Sequence, residues 1–140
     1  MKRYDAAYYL KDRGYCNCAQ AVCKAYSDLV NVDDEELMKL TSGFGQGMGS
    51  LDATCGALIG ANIILGLLND KEISTKSISR KMISDFKEKC GATICKELKG
   101  VDTRIVLTPC SDCVKNAAMI LEKHLIENKI IKEEVLNEER

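Results

Sequence analysis

The chemically reactive side chains of this chain are its cysteines, eight in 140 residues. Four of them follow residues that open helices. Asn17 precedes Cys18, Thr54 precedes Cys55, Thr93 stands two before Cys95, and Thr108-Pro109 leads into Cys110. Asn and Thr are cap-type residues, and Pro suits the first helical position. A helix start carries unpaired backbone N–H groups and a partial positive charge, and both favour thiolate over thiol. Sulfurs of that kind are metal ligands or redox-active thiols. If Cys18, Cys55, Cys95 and Cys110 converge, four thiolates suit zinc or an iron–sulfur cluster. Taken singly, each could equally fill a core position, because free cysteine is among the most buried residue types.

The other cysteines read differently. Cys23 shares an apolar stripe with Val22 and Tyr26, and Cys90 continues the row Ile78, Met82, Phe86, so both are expected in the core. Cys16, in the turn before Asn17, is an exposed thiol or a spare ligand. Cys110-Ser111-Asp112-Cys113 has the C-x-x-C spacing of metal and redox sites. A thioredoxin-like mechanism would need a preceding strand, which is not predicted, and Val114 stands where a haem motif requires His. The glycine run Gly43, Gly45, Gly47 fits no nucleotide fingerprint. Together with Gly56 it could let backbone approach an anionic centre closely, or it could be a plain flexible loop. His124, late in its helix, is expected on the surface, and Asp33-Asp34-Glu35-Glu36 as a solvated helix start.

The elements that must carry these residues are helical. Apolar rows at helical spacing predict helices over 3–12, 17–30, 33–42, 54–68, 74–90, 93–99 and 110–127, with a last piece near 129–138. No stretch alternates with period two. The expectation is a single all-α domain over 1–140, with 130–140 a charged, frayed tail. Hydrophobic residues make up 46% of the chain, with no Trp and one Pro, a helical vocabulary and enough for a core without disulfides. A net charge of −1 leaves no basic footprint for nucleic acid. The longest apolar run, 57–68, is too short to span a bilayer, and the N-terminus has no signal-peptide core. The expected compartment is cytoplasmic, where cysteine clusters lean towards metal or catalysis.

On these residues the chain resembles the redox-active C-GCAxxG-C-C family of prokaryotes. The resemblance runs through Gly14-Tyr15-Cys16-Asn17-Cys18-Ala19-Gln20-Ala21, Ser42 to Gly49, Cys55-Gly56-Ala57-Leu58-Ile59-Gly60, Cys95-Lys96-Glu97-Leu98, and Cys110 followed by Val114 and Ala117-Ala118. It carries the family's four hallmark cysteines onto Cys18, Cys55, Cys95 and Cys110, and implies no ligand role for Cys113. The family is similar to the non-haem part of split-Soret cytochromes, which is helical and associated with an iron–sulfur centre. The resemblance therefore implies redox activity and leaves the substrate open.

Three functions follow as expectations. The first is an electron carrier with one [2Fe–2S] cluster on Cys18, Cys55, Cys95 and Cys110. The second is a thiol–disulfide protein using Cys110 and Cys113. The third is a zinc-binding structural or interaction module on the same four thiols. An unidentified redox partner protein is expected, and a homodimer is allowed.

Overall fold

A computed structural model describes residues 1–138, so the last two residues of the expected tail, 139–140, lie outside the described residues. The periodic segments fold as α1 (Arg3–Asp12), α2 (Cys18–Ala25), α3 (Asp34–Leu40), α4 (Gly56–Leu68), α5 (Thr75–Cys90), α6 (Cys95–Lys99), α7 (Cys110–Glu127) and α8 (Glu133–Leu136). Among the described residues no strand forms, and the one piece of extended pairing is an isolated antiparallel bridge between Thr54 and Ile94. The fold is all-α.

Two segments differ from expectation. The helix predicted over 17–30 stops at Ala25 and gives way to a 3-10 turn, Ser27–Leu29. The cause is a long-range side chain. Arg3, 1% exposed, donates from Nη1 to the Ala25 carbonyl at 3.0 Å and forms a two-pronged pair with Asp28 at 2.6 and 3.1 Å. Ser27 Oγ donates to the Lys24 carbonyl at 2.9 Å. These donors take carbonyls that a continuing helix would have bonded to its own N–H groups. The last predicted piece, near 129–138, forms as α8, and its buried Leu136 holds against the core a stretch expected to fray.

Helix α4 lies at the centre. It is apolar nearly all round, and Ala57, Leu58, Ala61, Ile64 and Leu65 are buried. α2 crosses it, α1 lies along α7, and α5 packs against α7. Small residues mark the closest crossings: Ala19 and Ala21 on α2, Gly56 and Gly60 on α4, Ala117 and Ala118 on α7. A Cβ on Gly60 would stand 2.7 Å from the Ala19 carbonyl oxygen, nearer than packed atoms approach. Gly66, on the exposed side of the same helix, has nothing within 4 Å of that position.

Gly60→Ala should therefore destabilise the fold by about 1–3 kcal/mol through overpacking. Gly66→Ala should stabilise it by about 0.5–1 kcal/mol by reducing the freedom of the unfolded chain. Chemical denaturation of the two variants checks the contrast. Equal effects would mean that α2 and α4 do not meet at Gly60.

Candidate redox centre

The four cysteines singled out by their spacing all stand at helix starts. Cys18 is the first residue of α2, Cys55 the residue that caps α4, Cys95 the first of α6 and Cys110 the first of α7. Only one expected cap bonds its helix through a side chain. Asn17 Oδ1 accepts from the Gln20 N–H at 2.8 Å, and Gln20 Oε1 accepts from the Asn17 N–H at 3.0 Å, a reciprocal capping box. Thr54 and Thr93 serve another purpose. The Cys55 N–H donates to the Thr93 carbonyl at 2.7 Å and the Cys95 N–H to the Ala53 carbonyl at 3.0 Å. The starts of α4 and α6 are thus tied together by two crossed bonds. Thr108 turns away from α7 and donates from Oγ1 to the Cys90 carbonyl at 2.9 Å, while Pro109 brings the chain into the helix in extended conformation.

The glycine loop packs on these starts. Asn17 Nδ2 reaches across to the Thr41 and Ser42 carbonyls, each at 3.2 Å. A Cβ on Gly45 would meet Asn17 Cβ at 2.5 Å, one on Gly47 would meet Cys95 Cβ at 2.8 Å, and one on Gly56 would crowd the Phe44 carbonyl and stand 3.3 Å from Cys18 Cβ. Three of the four singled-out glycines therefore bring backbone against Asn17, Cys18 and Cys95, whereas Gly43 faces open space. The loop is left-handed through Gln46, Gly47, Met48 and Gly49 (φ 50°, 57°, 60° and 82°) and again at Leu51 (φ 69°). For Gln46, Met48 and Leu51 that conformation is strained, and loop bonds hold it, from the Gly49 N–H to the Gly45 carbonyl and from the Leu51 N–H to the Gln46 carbonyl, each at 3.0 Å.

The sulfurs interact. Each of Cys18, Cys55, Cys95 and Cys110 lies within electrostatic reach of others in the set, and Lys11 and Lys99 stand beside them. A hydrogen bond with Cys18 draws the Cys110 thiol down to about 6, with Lys99 and Lys11 helping against partial burial. The same bond, and then burial, push Cys18 up. Burial raises Cys95. Cys55 is lowered by a hydrogen bond from Cys113, against burial and with help from the Ala57 and Leu58 N–H groups. Burial also raises half-buried Cys16.

Cys113 does not turn to Cys110. Its thiol reaches both Cys55 and Cys90, bonds that push it up, and it lies 3.6 Å from the Thr108 carbonyl. Cys90, expected as plain core, is indeed buried with Ile78, Met82 and Phe86. It is nevertheless drawn down to about 7 by hydrogen bonds from Cys113, Asn116 and Thr108. Cys23 is core: wholly buried, bonded to the Gly60 carbonyl at 3.5 Å, and pushed up to about 12 by desolvation. His124 is not on the surface. It is 4% exposed, with Nε2 2.7 Å from Asp85 Oδ2, because its turn of α7 faces α5. Lys99, Lys11 and Asn116 escaped the sequence analysis. Lys99 follows Cys95 by one helical turn, a legible spacing. Lys11 and Asn116 come to the sulfurs only through the packing of α1 and α7.

Among the described residues no group of three or more His, Cys, Asp or Glu side chains is drawn together tightly enough to hold a metal ion as it stands. No helix among them is long and apolar enough to cross a membrane. The family described as "Putative redox-active protein (C_GCAxxG_C_C)" matches residues 16–124. The chain belongs to this family. Its match spans all eight cysteines and the glycine loop, so the sulfur-lined helix starts lie within the part that defines a redox-active family. No curated protein and no solved structure matches the chain.

In reduced, metal-free protein Cys110 should alkylate fastest, being half-buried and drawn down to about 6. Its thiolate fraction is nearly complete at pH 7 and 8, so the rate should be flat there and fall about tenfold per unit below pH 6. Cys18 should lag behind although it also begins a helix, and Cys23 should react only on unfolding. Lys99→Met removes a cation that favours the thiolate, so the Cys110 midpoint should rise. Site-resolved iodoacetamide labelling by mass spectrometry measures all three rates, and a faster Cys23 would refute the assignment.

Proposed function

We propose that Cys18, Cys55, Cys95 and Cys110 hold a [2Fe–2S] cluster and that the protein carries electrons to a partner protein. The observation that supports it is the electrostatic coupling of one thiol from each of four helix starts, with Lys11 and Lys99 acting on the same sulfurs. Four cysteines are the ordinary donor set of such a cluster, and its anionic character suits two lysines and helix N-termini. When bound, the cluster supplies one-electron chemistry. The chain's part is to orient the sulfurs from helix starts and to keep water from Cys18, Cys55 and Cys95, which are buried. The backbones of Gly45, Gly47 and Gly56 close around the same residues, and Gly43 opens the loop on its solvent side. Eight free thiols suit a reducing cytoplasm.

A second reading has its own support. Cys18 and Cys110 govern one another's ionisation, as Cys113 does with Cys55 and Cys90, and that proximity with one thiolate in each pair is what disulfide chemistry requires. Zinc would use the four ligands of the first reading.

Cys18→Ser, Cys55→Ser, Cys95→Ser and Cys110→Ser should each lose most of the bound iron and sulfide, because every ligand must supply a thiolate. Cys23→Ser should keep them and cost about 1–3 kcal/mol of stability for a hydroxyl in an apolar face. Iron, sulfide and zinc are measured after anaerobic purification, with denaturation midpoints alongside. Metal retained in both Cys55→Ser and Cys95→Ser would overturn the cluster and move the thiol reading to first place. One zinc per chain with no iron would select the zinc module.

A further inference from the structure

The end of α5 and the first turn of α7 meet at a second pair of sulfurs. Cys90 and Cys113 are each 2% exposed, and Asn116, one turn after Cys113 on α7, reaches the Cys90 sulfur, so the two thiols meet between the helices. Thr108 fastens both, giving its Oγ1 hydrogen to the Cys90 carbonyl at 2.9 Å and accepting from Cys113 Sγ at 3.6 Å. Asn116 Nδ2 donates to Cys90 Sγ at 3.5 Å. A cysteine that merely fills a core needs no such donors. Cys23 is equally buried and only gives its own hydrogen to a carbonyl. The contrast in ionisation agrees, since Cys90 is drawn down to about 7 and Cys23 is pushed up to about 12. Asn116 and Lys89 also line a surface groove of about 580 Å³, so Cys90 lies one side chain behind solvent.

We infer that Cys90 and Cys113 form a second redox site, a buried dithiol that closes to a disulfide when a small peroxide enters from the groove beside Asn116. The Cys90 thiolate attacks one peroxide oxygen, the O–O bond breaks, and the leaving hydroxide takes a proton, which leaves a sulfenic acid on Cys90. The Cys113 sulfur then attacks Cys90 Sγ and displaces that oxygen as water, losing its own proton. In sum, two thiols and one hydrogen peroxide give one disulfide and two waters, with two electrons passing from sulfur to oxygen. Closure also turns Cys113 away from Cys55, so this site reports on the neighbouring one without sharing its four cysteines.

The test is the identity of the disulfide formed in full-length protein with equimolar hydrogen peroxide. Trypsin leaves Cys90 with Cys95 in peptide 90–96, and Cys110 with Cys113 in peptide 105–115. In the wild-type chain, fragmentation of the linked peptide should locate the bond between Cys90 and Cys113, and dithiothreitol should release it. In Cys95→Ser/Cys110→Ser each peptide keeps one cysteine, and the linked mass alone should report the same bond. That variant lacks two of the proposed cluster ligands, so a link there stands whether or not the cluster reading does, and its iron content reports on that reading separately. A bond from Cys113 to Cys110 or Cys55 in the wild-type chain, or Cys90 still fully alkylated on unfolding after peroxide treatment, would overturn the proposal.

Discussion

The contact on which the rest of the molecule depends is the approach of the first turns of α4 to the first turn of α2. Gly60 carries no side chain where α4 meets Ala19, and a methyl there would push the helices apart, while Gly56 beside Cys18 leaves room for the Phe44 carbonyl of the glycine loop. That approach sets Cys55 beside Cys18. The bridge between Thr54 and Ile94 then carries Cys95 along, because the starts of α4 and α6 share their backbone bonds. α7, held close through Ala117 and Ala118 and by Tyr26 Oη on the Ala118 carbonyl at 3.4 Å, delivers Cys110. Each sulfur is thus placed by backbone, and the neighbouring side chains are kept small so that the backbone can come near.

Electrostatics among the sulfurs shows which effect wins at close range. Cys18 and Cys110 are both first residues of helices, yet one is pushed up and the other drawn down. A helix start is worth about 0.3–1 kcal/mol to a nearby anion, less than one pKa unit of about 1.4 kcal/mol. A hydrogen bond between two thiols favours charge on one and opposes it on the other, and it outweighs the dipole they have in common. The helix starts therefore gather the sulfurs, and the pairing among them decides which one ionises.

Much of this was legible in the chain itself. The rows Ile78–Met82–Phe86–Cys90 and Val114–Ala117–Ala118–Leu121–Leu125 became buried helix faces, and Cys18, Cys55, Cys95 and Cys110 stand at helix starts as their flanking residues implied. What escaped was long-range. Nothing near Ala25 announces that Arg3 will take its carbonyl, nothing near Thr54 that it will pair with Ile94, and nothing near Cys90 that Asn116 and Cys113 will reach it. His124 followed a local rule about helix ends and was overridden by Asp85 on α5. Local pattern specifies elements and starts, whereas partners across the core decide ends, charge states and pairings.

The four helix starts are drawn from across almost the whole chain, and this has a consequence for how the protein is made. Cys18 and Cys55 leave the ribosome before α7, which must dock on α1 before Cys110 can join them. Contacts of such high sequence separation form late in folding. For much of synthesis the early thiols are without the neighbours that later govern their ionisation, open to whichever oxidant or metal arrives first. The order of translation thus keeps the sulfur centre from maturing until α7 has been made.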